Sequence, residues 1–305
     1  MKKLLFGQKI TAFILTLVLF SSFNLYWKVM FAILLGHPHF LLAHLYKAAA
    51  KKYSYRQVIY LIISGVLLYV FLVIPKTYAR SELLLYITTV VGAYHFIIDD
   101  HHTLNFFKSG YESFEKLEII SLLLFVLALQ TQWQYNSPLS FIFIVPGICT
   151  VVLYTLLLLK ARKLTMYRFC FILMIIGVLF IIPFRSEFFG YDKFFILTFI
   201  GVYHYFLFYF HYYTKLQNIS KKAKSLPFLF TVKGYLSAVF IANLLFLILY
   251  YFSYNDPYIL NGFIFDGHIF YILALVHFFS SMRGEDIRDL KVVFQPKWWA
   301  GLGRV

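Results

Sequence analysis

Leu35-Gly36-His37-Pro38-His39-Phe40-Leu41-Leu42-Ala43-His44-Leu45-Tyr46-Lys47 sets three histidines within eight residues of an otherwise apolar run. Such a run reads as a helix at membrane depth, where an ionisable side chain is costly and usually faces a bundle interior, a relay or a metal. The neutral imidazole is also the commonest metal ligand, so the stretch is read both as a span and as a site.

The rest of the chain supports the first half of that reading. The 305 residues are 61% hydrophobic and 13% charged, where a soluble domain carries about a quarter charged residues. The expected fold is therefore an all-α, polytopic integral membrane helix bundle. Crossing the hydrocarbon core, about 30 Å, takes roughly 20 residues. Apolar runs of that order lie at 8–24, 28–46, 57–75, 81–99, 117–133, 139–159, 167–184, 194–213, 234–252 and 264–282, which predicts about 10 transmembrane helices.

The basic residues set the phase of this map. With the N-terminus inside, all 28 Lys and Arg fall on the cytoplasmic side except Lys28, Lys76, Arg80, Arg185 and Lys193, as the positive-inside rule requires. Both termini are expected in the cytoplasm, and the protein in the inner membrane if it is bacterial. Residues 25–28 leave almost no loop, so whether the first two apolar runs are separate spans stays open. Short loops imply a single transmembrane domain over 1–305, with 283–305, which mixes charges with Trp298 and Trp299, as a cytoplasmic interfacial tail.

Several classes are set aside by the same inspection. The formal charge of +15 falls between apolar runs and is topological, so no nucleic-acid partner is expected. Cys149 and Cys170 lie within apolar runs and read as small buried hydrophobes rather than as a disulfide or a thiolate metal site. No small-x-small cleavage site follows the first apolar run, which reads as a retained helix. Neither an internal repeat nor a pair of Gly/Pro-broken helices of the inverted-repeat transporter kind is found.

The ten histidines all fall in or just after the second, fourth, eighth and tenth runs, which share one direction in this topology. His37 and His44, His95 and His102, and His204 and His211 are each seven residues apart, two helical turns, so each pair shares a face at about 10 Å along the axis. A lone histidine in a membrane helix often only bonds a neighbouring helix. Confinement of the whole set to four runs favours a metal site, with His101 and His268 as bystanders. The 13 acidic residues lie at span ends or in loops, and only Asp99 and Asp100 adjoin the histidines. The Glu-x-x-His pairs of a carboxylate di-iron bundle are missing. An imidazole-dominated site suits iron, copper or zinc.

Three details refine the site. Asp99, one turn after His95, is a ligand, an acceptor that orients an imidazole N–H, or a helix-end charge facing water. Pro38 removes a backbone hydrogen bond and kinks its helix, while Gly36, Gly92 and Gly201 sit where helices approach closely. Tyr94, Phe96, Tyr203 and Phe208 flank the histidines either as ordinary packing or as the lining of a pocket for an apolar substrate.

Two of these segments resemble the Brp/Blh family of bacterial membrane β-carotene 15,15′-dioxygenases. Gly36-His37-Pro38-His39 is similar to that family's Gly-x-Pro-His, Tyr94-His95-Phe96-Ile97-Ile98-Asp99 is similar to its Tyr-His-Phe-x-x-Asp, and His204 and His211 are placed like its remaining ligands. The resemblance implies a multi-helix protein with a four-histidine iron site and a carotenoid substrate. On this chain the ligands would be His39, His95, His204 and His211. His37, His44, His102, His277 and Asp99 would be alternate ligands or supports of the ligating rings.

Three functions compete on these grounds. The first is a cytoplasm-facing non-haem iron oxygenase or dioxygenase, with one or two iron ions, that uses O2 on a lipid-like or carotenoid substrate taken from the bilayer. The second is a bis-histidine haem b electron carrier, held to one haem because seven residues span only about 10 Å. The third is a histidine-lined transporter or metal permease, disfavoured because the outer half is nearly bare of polar groups except near Asp266 and His268.

Overall fold

The computed structural model describes residues 2–22, 25–50, 54–74, 78–104, 113–135, 140–160, 195–221, 226–255 and 267–281, with isolated positions between 162 and 176. The described residues are helical throughout apart from turns. Nine α-helices follow in order: α1 Lys2–Ser22, α2 Leu25–Ala49, α3 Tyr55–Leu68, α4 Tyr78–Leu104, α5 Ser113–Tyr135, α6 Phe141–Lys160, α7 Phe195–Ser220, α8 Val232–Asn255 and α9 Gly267–Ser281. Each matches one of the expected apolar runs. The run at 167–184 and the tail at 283–305 lie outside the described residues, the former except for isolated positions.

Among the described residues four helical stretches are long and apolar enough to cross a membrane: Tyr55–Val73, Glu82–Asp99, Phe141–Lys160 and Val232–Phe252. α2 and α7 are as long, 25 and 26 residues, but their apolar runs are interrupted by polar imidazoles. The long stretches differ in what surrounds them. None of Tyr55–Val73 is buried within the chain, against 67% of Glu82–Asp99. Helices apolar on every side, with little protein around them, are suited to lipid.

Local chemistry explains several helix ends. Ser54 caps α3 with a capping box: its hydroxyl accepts from Gln57 N at 3.3 Å, and Gln57 Oε1 accepts from Ser54 N at 2.8 Å. α3 then widens into a π-helical turn over Tyr69–Val73, and Arg80 Nη1 donates to the Phe71 carbonyl at 3.0 Å. At the start of α8, Thr231 Oγ1 accepts from Gly234 N at 3.0 Å. A Cβ on Gly234 would sit 1.9 Å from the Phe228 carbonyl oxygen, so only glycine fits that entry.

The chain divides into two compact units, Met1–Thr88 with Leu197–Ser280, and Thr89–Ile196 with Ser281–Val305. In the first, Leu42, Tyr46, Leu216, Tyr235 and Ala242 form a buried cluster joining α2, α7 and α8. Tyr46 and Tyr235 satisfy their hydroxyls on the carbonyls of Leu229 and Tyr209, at 2.8 and 3.0 Å, as buried tyrosines generally do. In the second, α5 and α6 pack as an antiparallel pair around Leu117, Phe125, Val151, Tyr154, Leu157 and Leu158. Gly147 admits the Phe125 ring there, and Ser121 donates to Thr150 Oγ1 at 2.9 Å. Cys149 lies on the exposed face of α6. The expectation that it is a buried hydrophobe is corrected: the inward positions of this helix go to residues in step with Gly147, Val151 and Tyr154.

Candidate metal centre

The first unit gathers imidazoles from three helices. α2 brings His39, α7 brings His204 and α9 brings His277, with relative exposures of 1%, 4% and 2%. His39 Nε2 lies 3.2 Å from His277 Nε2. The His204 ring stands edge-on to His39, with centroids 5.0 Å apart. His44, half-buried and five residues further along α2, turns its ring to His277 at 5.7 Å.

Glycine and proline explain how α2 comes so close to α7 and α9. A Cβ on Gly36 would lie 2.7 Å from Phe270 Cε2 and 2.9 Å from Tyr205 Oη, so any larger residue would displace these two rings. Pro38 has no N–H for the Leu34 carbonyl and its ring crowds that turn. Tyr209 of α7 donates to the next carbonyl, Leu35, at 3.4 Å. Beyond the site, Lys47 Nζ donates to the Ser280 carbonyl at 3.0 Å, placing a cation at the C-terminus of α9. Ser280 Oγ in turn donates to the His277 carbonyl at 2.8 Å, one turn earlier on the same helix.

Aromatic rings form the walls. Phe208 stands perpendicular to His39 at 4.2 Å, and Tyr205 is tilted against it at 5.0 Å. Phe40 packs on His277 at 4.9 Å and on Phe270 at 5.6 Å. His37 points elsewhere. Its Nδ1 pairs with the Ile33 carbonyl at 3.0 Å, and its ring lies between Phe246 and Phe270, 5.1 and 5.4 Å away.

This geometry has two chemical uses. Two nitrogens bound side by side on one ion at about 2.0–2.1 Å stand roughly 2.9–3.4 Å apart, whereas opposite ligands stand about 4 Å apart. The 3.2 Å between His39 and His277 fits adjacent ligands. It also fits a single proton shared as N–H···N between two neutral rings.

The remaining expected site residues are placed as follows. His211 lies two turns beyond His204 on α7, half-buried beside Tyr212. In the second unit, His95 Nε2 is 3.5 Å from Asp99 Oδ2 across one turn of α4. Phe96 packs beside His95 at 5.7 Å, and Tyr94 is buried on the same helix. Tyr203 is half-buried on α7. The side chains of His101 and His102 lie outside the described residues. Sequence reasoning did not single out Phe40 as a wall. Tyr205, one of the aromatic residues that the sequence sets around the histidines, lies one turn after Gly201, whose added Cβ would meet the Tyr205 hydroxyl at 3.6 Å.

The second unit holds a different polar cluster. Glu118 on α5 is 1% exposed, accepts the Tyr154 hydroxyl from α6, and lies 3.8 Å from Arg168 Nε. No family model, no curated protein and no solved structure matches the chain.

Proposed function

We propose that the protein is a histidine-ligated non-haem iron oxygenase of the membrane, acting on an apolar substrate drawn from the bilayer, with oxidative carotenoid cleavage as the reaction its motifs resemble. The observation that carries the proposal is the facing pair of buried imidazole nitrogens on α2 and α9, 3.2 Å apart, with the His204 ring edge-on to that of His39. His39, His204 and His277 hold the metal in this reading. The sequence nominates His95 as a further ligand, its ring oriented by Asp99. An imidazole-bound iron supplies the capacity to activate O2, and the protein supplies a dry, oriented cavity.

The side chains divide the remaining tasks. Phe208, Tyr205 and Phe40 offer flat apolar walls to a long unsaturated substrate and keep water from the imidazoles. Adjacent rather than opposite nitrogens favour this reading over a bis-histidine haem, whose ligands stand on opposite sides of the iron. The topology proposed with it is the ten-span arrangement, both termini and the 283–305 tail cytoplasmic, which places His39, His44 and His277 in the cytoplasmic half.

Elemental analysis of detergent-purified protein with an absorption spectrum tests the proposal. Iron at one or two equivalents without a Soret band is expected. A metal-free protein after gentle purification that also takes up no added Fe(II) assigns the 3.2 Å contact to a shared proton and ends the iron reading.

A further inference from the structure

Beyond the centre itself, the imidazoles of the first unit form a graded series. His44 is half-buried near the C-terminal end of α2. Its ring faces His277 at 5.7 Å, His277 faces His39 at 4.8 Å, and His39 faces His204 at 5.0 Å. The last three are all under 5% exposed. Five residues separate His44 from His39, about 7.5 Å along the helix, so the series starts toward the basic end of α2 and ends in the interior.

We propose that His44 is the entry ligand of the metal centre: a divalent ion is first held by His44, is taken over by His277 through ligand exchange, and comes to rest among His277, His39 and His204. The inference rests on the metal-site reading above. A naked dication cannot cross an apolar wall, because an isolated charge there costs far more than binding returns. It can cross where each step replaces one imidazole by the next, and centroid spacings of 4.8–5.7 Å put successive rings within one ion's reach. Coordination is exchanged, and the ion keeps its charge and oxidation state throughout. Lys47 serves this route by tying the end of α2 to Ser280 of α9, which holds His44 opposite His277.

An entry ligand has a kinetic signature that a resident ligand lacks. Removing it raises the barrier in both directions equally and leaves the end states untouched. Apo protein in detergent, mixed with Fe(II) or Co(II) alone and then with a chelator, gives the loading and release rates. His44→Ala is expected to slow both about tenfold, or ~1.4 kcal/mol on the shared barrier, with stoichiometry and equilibrium affinity unchanged. Added imidazole is expected to restore both rates, and His44→Gln, which keeps the polar volume without a ring, to behave as His44→Ala does. Faster release with weaker affinity makes His44 a resident ligand and overturns the inference; so do unchanged rates, or slowed rates that imidazole does not restore. Wild-type protein that takes up neither metal overturns the underlying reading instead, so the two failures are seen in different proteins.

Discussion

Two buried polar clusters, one in each unit, solve the same problem in opposite ways. Around Glu118 the carboxylate accepts the Tyr154 hydroxyl and faces the Arg168 guanidinium, so a charge is matched by a charge and the group is complete without a ligand. Around His39 the groups are imidazoles and aromatic rings, and two nitrogens face each other at 3.2 Å, where a proton or a cation must lie between them. The first arrangement is how a buried ion is made tolerable; the second leaves two nitrogens that one shared proton, or one bound cation, would satisfy. Burial alone therefore does not distinguish the two clusters; the chemistry of the partners does.

The largest effect expected separates the clusters outright. His277→Ala and His39→Ala each remove one of the facing nitrogens and should leave the purified protein without bound metal, while His211→Ala retains it; metal per protein after gel filtration is the measurement. Full occupancy in His277→Ala with none in His211→Ala would restore the ligand set read from the motifs and separate the 3.2 Å contact from function. In the other cluster, Arg168→Met leaves Glu118 buried without its guanidinium, a change that costs ~3–5 kcal/mol where a buried pair is broken. The 3.8 Å separation places it toward the lower end. Unfolding free energy in mixed micelles should fall by about 3 kcal/mol and recover most of the loss in the Arg168→Met, Glu118→Gln double variant, with metal content constant. Loss of metal in Arg168→Met would mean that the two clusters are not independent.

What the sequence made legible follows from what a membrane fold must do. Continuous apolar runs of about 20 residues read as helices because only helices and closed barrels satisfy their backbone in lipid and barrel strands are about half as long, and the nine described helices lie where those runs lie. Helix ends were read less well: nothing in Tyr69–Val73 announces a π-helical turn, nor that Arg80 would reach back to the Phe71 carbonyl within it. Which histidines meet in the fold was half legible. The seven-residue spacing correctly puts His204 and His211 on one face of α7, but spacing cannot say at what depth α9 crosses α2, and that crossing selects His277 as the neighbour of His39. Lipid-facing and protein-facing surfaces are both apolar here, so the periodicity that would reveal a buried face in a water-soluble helix is nearly silent. Gly36 was the better guide: a missing side chain marks where two helices meet, and Phe270 and Tyr205 fill the notch it leaves.

The smallest effect asks whether the kink at Pro38 is held open by α7. Proline leaves the Leu34 carbonyl without its helical donor and loosens the turn around Leu35. Tyr209 supplies a hydroxyl to the Leu35 carbonyl at 3.4 Å, near the limit of a hydrogen bond, with Asn243 beside the same hydroxyl. Tyr209→Phe removes the donor and keeps the ring, so the expected loss is about 0.6 kcal/mol, the average for a polar contact between membrane helices. The informative version is a cycle with Pro38→Ala. Alanine returns an N–H to the Leu34 carbonyl and lets the turn close, so Leu35 is served within its own helix and Tyr209→Phe should then cost almost nothing. An equal loss in both backgrounds would mean that the Tyr209 hydroxyl matters for its packing against α8 and not for the turn at Pro38, and the approach of α2 to α7 would rest on the Gly36 notch and the cluster around Tyr46.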